Sequence, residues 1–283
     1  MTLESTNSNN SSASADKSLQ AALSALDITL CGRTSLFTLQ VLLTIVLGIQ
    51  RLRPGDSVAR NILGVASRTV LSLALHRSND IAGLSFSERL EKLQAFWCFY
   101  ILDVETSMRE NIPPCIHYDD VDMLLVEPPK LSHRGYGLVQ SLDGNTLNLY
   151  TARQRLARIG GLVWKELHTS KGRYHPTAVR KEAVGRLNAK LVEWKAEWYD
   201  YGPSADLPYD WPEDSIMYIA DVQFSFFQTM LMANVSITTS IAEMCDQVQN
   251  GQGLSLAPHC LKAARDTCLV AMAVQDGEAT YIW

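Results

Sequence analysis

A helix that has to begin near residue 85 and end near residue 111 constrains this chain more than any other feature. Ser85-Phe86-Ser87-Glu88 sets a capping serine three residues before a glutamate, so that each satisfies a free backbone donor of the other. Behind them Leu90, Leu93, Phe96, Trp97, Tyr100, Ile101 and Val104 recur at helical spacing. Pro113-Pro114 then removes backbone donors and pushes Ile112 out of the helical region, which stops the helix near Asn111. Such a segment carries a continuous apolar face and needs other helices to cover it.

The rest of the sequence supplies them. An uncharged stretch, Thr34 to Gln50, precedes an Arg53-Pro54-Gly55 break; Asp56 or Ser57 then caps a helix with Val58, Ile62, Val65, Ala66, Thr69, Val70 and Leu73 on one face. Further helices are expected around 144–168, 177–199, 214–247 and 258–276, the second with Val184, Leu187, Leu191, Trp194 and Trp198 on one side. No run alternates as a strand does. The fold class is therefore all-α, a large domain of packed antiparallel helices, with a loosely repeating solenoid left open. Residues 1–17 are polar and low in complexity and are expected to be disordered, having little to bury against the entropy of ordering. Residues 18–283 are expected to form one domain, with a loop or subdomain boundary in the Pro-, Gly- and Asp-rich segment at 199–212.

Composition narrows the function. The net charge of -5, from 25 Lys and Arg against 30 Asp and Glu, argues against a surface built to neutralise phosphates. The six cysteines are scattered, with no Cys-x2-Cys pair to hold a metal, and read as reduced thiols. The N-terminal residues lack the basic start and apolar run of a secretory signal, so the sequons, Asn234 among them, carry no weight. Thr34 to Gln50 approaches the length of a spanning helix, but its Thr, Gln and Gly interruptions fit a core helix better, and no membrane association is expected.

Chemistry-bearing constellations are few. Asp119, Asp120 and Asp122, beside His117, give an enzyme hypothesis its only material: carboxylates on a helical scaffold can hold Mg²⁺ against a diphosphate, as in all-helical terpene synthases. Their spacing matches neither of that family's aspartate motifs, and the adjacent prolines favour a loop. His76-Arg77 reads as a positive helix C-terminus, and Phe96, Trp97 and Tyr100 as core. No Ser/His/Asp order or phosphate loop is present, and the Gly160-Gly161 doublet lies inside a helical pattern. The mixed charges of 177–199 read as a solvated face.

Ala66 to Pro128 resembles the fungal-specific transcription factor domain, the middle homology region of fungal zinc-cluster regulators. That family's Gly-Leu-His-Arg-like helix end is matched by Ala74-Leu75-His76-Arg77. Its aromatic pair and Tyr…Leu-Asp step are matched by Phe96-Trp97 and Tyr100-Ile101-Leu102-Asp103. Its Ser, Gly-Arg-Pro turn and Asp-Ile-Asp loop ending in Pro are matched by Ser107, Pro113, Asp120-Val121-Asp122 and Pro128, the turn departing from the family in reading Asn111-Ile112-Pro113. A fainter echo lies at Phe224 to Gln228 and at Cys260 to Arg265.

The resemblance implies a nuclear transcription regulator and no enzyme: a regulatory domain that contacts transcription-machinery or regulator proteins, a second copy of itself among them, and answers a small-molecule effector. No cofactor is implied for these residues. The family's zinc belongs to an upstream six-cysteine cluster whose Cys-x2-Cys-x6-Cys pattern is not written here, so DNA contact would come through that module or a partner, and the domain reads as shortened at both ends. The motif positions His76, Arg77, Phe96, Trp97, Asp103, Ser107, Pro113, Asp120, Asp122 and Pro128 are expected to shape the domain rather than react.

Overall fold

The computed structural model describes residues 4–26, 33–53, 55–123, 137–140, 146–199 and 213–235, with Arg265 and Cys268. Its helices are α1 (Glu4–Ser24), α2 (Leu36–Leu52), α3 (Ser57–Ser72), α4 (Phe86–Glu110), α5 (Leu149–Val163), α6 (Ser170–Arg173), α7 (Thr177–Tyr199) and α8 (Glu213–Val235). The all-α class holds, with one addition. Strands β1 (Leu138–Gln140) and β2 (Thr146–Asn148) pair antiparallel, Val139 opposite Leu147, as a hairpin too short to show as alternation.

The described residues group into two compact units. One holds those up to Asp103 together with 119–123; the other holds 104–118 and those from Gly137 on. The division thus falls within α4. Residues 200–212, where the sequence suggested a boundary, lie outside the described residues, as do the expected helix at 258–276, apart from Arg265 and Cys268, and the continuation of α8 toward 247.

In the first unit, α1 packs on α2 and α2 on α3. Helix α1 begins at Glu4, within the leader for which the sequence suggested disorder. Its anchors lie at the far end, out of reach of a local reading. Leu19 is buried and close to Gly48, and Asp16 accepts from Arg53 at 2.9 Å. A fixed last turn provides the nucleus from which preceding residues extend the helix at low cost.

Helix α2 is the uncharged stretch. Ser35 caps it by accepting from the Thr38 amide, and Leu39, Leu42, Leu43, Val46 and Ile49 are buried. It is 17 residues long, and among the described residues no helix is long and apolar enough to cross a membrane. Asp56 caps α3 by accepting from the Val58 amide at 2.9 Å.

The ends of α3 and α4 share one construction. Beyond α3 the Ala74 amide donates to Leu71 and the Leu75 amide to Val70, closing the helix with Ala74 in the left-handed region at φ 52°. Beyond α4 the Ile112 amide donates to Ser107, with Asn111 at φ 53°. These are the non-glycine residues with positive φ among those described, and both stand where the resembling family's motifs carry glycine. A Cβ in this conformation costs roughly 1–2 kcal/mol. Part of that is offset by the freedom glycine has when unfolded. Ala74→Gly is therefore expected to stabilise the chain by about 0.5–1 kcal/mol, read as a raised urea midpoint at unchanged slope. Asn111→Gly should gain less, because asparagine tolerates this region.

Helix α4 opens as its sequence requires. Ser85 Oγ donates to Glu88 Oε2 at 2.6 Å, the Ser85 amide donates to the same oxygen, and the Glu88 amide reaches back to Ser85 Oγ. The Ser85 hydroxyl and then its amide hold the Glu88 carboxyl below the ordinary carboxylate range. Between Ala95 and Met108 every residue except Cys98 and Glu105 is buried, so α4 is enclosed over all but one stripe where a single buried face was expected. Phe99 and Leu102 complete the apolar circumference, while Leu90 and Leu93 are half-buried. Phe96, Trp97 and Tyr100 form a mutual cluster, ring centroids 5.4–5.8 Å apart and Trp97 edge-on to both neighbours.

In the second unit α5, α7 and α8 pack mutually. Trp194 stacks on Phe226 and its indole N–H donates to the Ala152 carbonyl at 3.0 Å. The Trp198 side chain lies outside those described. Glu105 takes two hydrogen bonds from Arg153 and one from Ser225, with Asp221 3.1 Å from the same guanidinium. Gly160, in the doublet, lets α5 pass the last turns of α4: a Cβ there would lie 2.8 Å from Val104 Cγ1. Asn188 on α7 and Asn234 on α8 exchange amide hydrogen bonds of 3.0 and 2.9 Å, and Asn234 is 1% exposed.

Candidate functional site

The sequence-chosen positions separate into buried and exposed. In the first unit, His76 is buried, its Nδ1 without a partner among the described residues, and its carbonyl accepts from the Asp122 amide at 3.3 Å. Asp122 in turn accepts from the Ser78 amide at 2.7 Å and hydroxyl at 3.2 Å, so the aspartate ties the acidic loop to the turn after α3. His76 is not at the helix terminus as the sequence suggested. The helix has already ended at Ser72, and Ala74 has redirected the chain inward. Arg77 and Asp120 are exposed; Phe96, Trp97, Asp103 and Ser107 are buried; Pro128 lies outside the described residues. Among the described residues no three His, Cys, Asp or Glu side chains converge as metal ligands, and Asp122 has its own structural partner.

A cleft of about 450 Å³ opens elsewhere, entirely within the second unit. One wall is the turn after α4, with Asn111, Pro113, Pro114, His117 and Tyr118; the other begins at the end of α5 and runs from Gly161 through Trp164, Lys165 and His168 to Arg173. Of the motif positions only Pro113 reaches it.

The second wall is shaped by a π-helical turn, Trp164–His168, in which the Thr169 amide donates to the Trp164 carbonyl five residues back. Such turns are uncommon and widen the helix locally, re-aiming its side chains. Thr169 locks this one: its hydroxyl donates to the Lys165 carbonyl at 2.8 Å and accepts from the Gly172 amide at 3.1 Å. Gly172 then lies against the backbone of Glu166, where a Cβ would be 2.8 Å from the carbonyl carbon. The turn stacks Trp164 on His168, centroids 5.2 Å apart, and sets the Lys165 ammonium 5.5 Å from the Tyr118 ring.

His168 Nε2 lies 2.9 Å from the Met232 carbonyl, so that nitrogen is the donor and Nδ1 is left as acceptor in the neutral ring. Burial lowers the His168 pKa; Arg173 and Arg180 push the same way, against the Met232 hydrogen bond. Above its ordinary value of 6.5 the ring is neutral folded or unfolded, and folding is unaffected. As pH falls through 6.5 the unfolded chain takes up a proton that the folded chain resists, so stability declines. His168→Gln should flatten that acid-side decline in urea midpoints measured from pH 8 to 5.

Neither the cleft nor the π turn was legible beforehand. Trp164 and His168 are four apart, a stripe that reads as core; of the cleft's lining, only Pro113 was a motif position and only His117 had been weighed as a possible ligand.

The chain's relatives are regulators. Residues 2–133 match the family model of the fungal specific transcription factor domain. An ABC-transporter-regulating transcription factor of Aspergillus oryzae is 24% identical over 278 residues, covering 94% of this chain and 31% of that protein. Its namesake in Aspergillus fumigatus aligns equally, and the fusaridione A cluster transcription factor of Fusarium heterosporum is 28% identical over 145 residues, 51% of this chain and 27% of that protein. The chain thus spans about a third of the length of these relatives. No solved structure matches it. The family match ends at 133, so it spans the first wall of the cleft, while the π-turn wall lies beyond it.

Proposed function

We propose that this chain regulates transcription in the nucleus, as the regulatory region of a fungal zinc-cluster-type factor and not as an enzyme. The observation that carries the reading is the family match over residues 2–133, extended by the alignment of 94% of the chain to transcription factors. In this reading the helical units contact transcription-machinery proteins or other regulators, homodimer formation included, and take up a small-molecule effector. DNA is reached through a zinc-cluster module outside these 283 residues. The structural use of Asp122 supports it against a Mg²⁺-dependent terpene-synthase chemistry at Asp119, Asp120 and Asp122.

The test is to join residues 1–283 to an unrelated DNA-binding domain in a fungal host carrying the matching reporter. Expression should change severalfold, up or down, relative to the DNA-binding domain alone. A reporter indifferent to the fusion, together with Mg²⁺-dependent turnover of a prenyl diphosphate that Asp119→Ala abolishes, would overturn the reading in favour of the enzyme.

A further inference from the structure

The cleft in the second unit holds one polar atom whose role the fold has fixed. A carbonyl only accepts, so His168 Nε2, 2.9 Å from that of Met232 on α8, carries the proton, and Nδ1 of the neutral ring offers a lone pair. The two ring nitrogens diverge. With Nε2 turned to α8, which gives no residue to the described lining, Nδ1 is turned away from α8 on a ring that lines the cleft. Among the described residues Nδ1 has no hydrogen-bond partner, and it is not sealed from solvent as Nδ1 of His76 is. The adjacent Thr169 hydroxyl cannot supply the missing proton, since it donates to the Lys165 carbonyl. The surrounding walls are flat and weakly polar: Trp164 stacked on His168, the Tyr118 ring and Pro113-Pro114. Charge does not choose between ions here. Lys165 is engaged, with the Tyr118 ring and a further partner, and the carboxylates Glu110 and Asp119 adjoin the lining residues Asn111 and Tyr118 in sequence. A volume of about 450 Å³ falls in the range of small-molecule pockets.

We infer that this cleft binds an uncharged planar aromatic alcohol of the phenol type, its ring lying against Trp164 and its hydroxyl donating to His168 Nδ1. The aromatic and proline walls offer stacking and apolar burial to a flat body. The hydrogen bond supplies the selectivity, because a ring that covers Nδ1 without donating leaves a desolvated acceptor unpaired. Burial, which lowers the His168 pKa, keeps that nitrogen an acceptor at neutral pH. A hydroxyl fits better than an aromatic N–H, since its oxygen can accept in turn from the Asn111 amide or the Ser170 hydroxyl on the same lining. An aliphatic alcohol would answer the nitrogen but leave the flat walls wet. For its biological meaning, as the effector of a regulator, the inference rests on the proposed function; the binding itself does not.

Two probes that share a ring system separate stacking from donation. β-Naphthol carries the hydroxyl, and its methyl ether keeps the rings but has no proton to give. In equilibrium dialysis against the 283-residue chain, naphthol should bind saturably at one site and the ether about tenfold more weakly. His168→Phe keeps a flat ring beside Trp164 and removes the nitrogen, so it should bring the two probes to within about threefold of each other. Ser170→Trp, at an exposed position of the lining, sets an indole across the opening and should abolish binding of both. Near-ultraviolet dichroism and melting temperature exclude binding by a loosened fold; if His168→Phe fails to fold, the naphthol-to-ether ratio and Ser170→Trp decide together. No saturable binding, equal binding of the two probes, a preference for naphthol that survives in folded His168→Phe, or indifference to Ser170→Trp would overturn the inference. The reporter assay is untouched by that outcome, so loss of the ligand site and loss of the regulatory reading remain distinguishable.

Discussion

Trp97→Ala should lower the unfolding free energy of this chain by about 3–5 kcal/mol, the range for emptying an aromatic site in a core that cannot collapse. Trp97 is wholly buried and edge-on to both Phe96 and Tyr100, so the truncation removes two aromatic contacts along with the apolar area. Most of the circumference of α4 is buried at this level, which leaves little neighbouring surface free to slide into the gap. Urea unfolding followed by circular dichroism should show an earlier midpoint with little change in slope. Trp97→Phe, which keeps a ring in the site, should recover most of the loss. An unchanged midpoint in Trp97→Ala would mean that the residue is exposed, and would return the aromatic pair to consideration as a binding surface.

Gly172→Ala tests a different kind of constraint and should cost about 2–3 kcal/mol. The added methyl meets the carbonyl of Glu166 and, 3.0 Å away, the Leu167 amide nitrogen, backbone atoms of the π turn that cannot rotate aside as a side-chain tip would. To make room, the short helix α6 has to lift away, which breaks the hydrogen bond from the Gly172 amide to Thr169 and loosens one wall of the cleft. Gly185→Ala is the control. It lies within α7 with open space around the new methyl, and should be neutral or stabilising by up to about 1 kcal/mol. If both alanines behave alike, the close approach of α6 to the turn is not what holds this wall.

What could be read in advance was whatever is written locally. The Ser85–Glu88 exchange, the cap of α3 and the stop before Pro113 each depend on residues within one turn, and each lies where the sequence placed it. Features built from distant residues were not legible. Helix α1 is held by Leu19 and by an ion pair spanning 37 positions, neither of which shows in its composition. His76 looked like a charge at a helix end because nothing local shows that Ala74 turns the chain inward first. The cleft joins a loop at 111–118 to a turn some fifty residues on, and π turns carry no compositional mark. Among the motif residues, His76 and Asp122 meet through the backbone and Pro113 alone reaches the cleft.

The reciprocal amides of Asn188 and Asn234 also shape how this chain can change. Each side chain is at once donor and acceptor to the other, so a substitution at one position strands a polar group on its partner, and at Asn234 that group is sealed from solvent. Single steps toward an apolar pair therefore pass through a poorer intermediate, while the double replacement by two hydrophobic residues escapes it. Descendants of this sequence should keep both asparagines or lose both, and lineages holding only one should be brief.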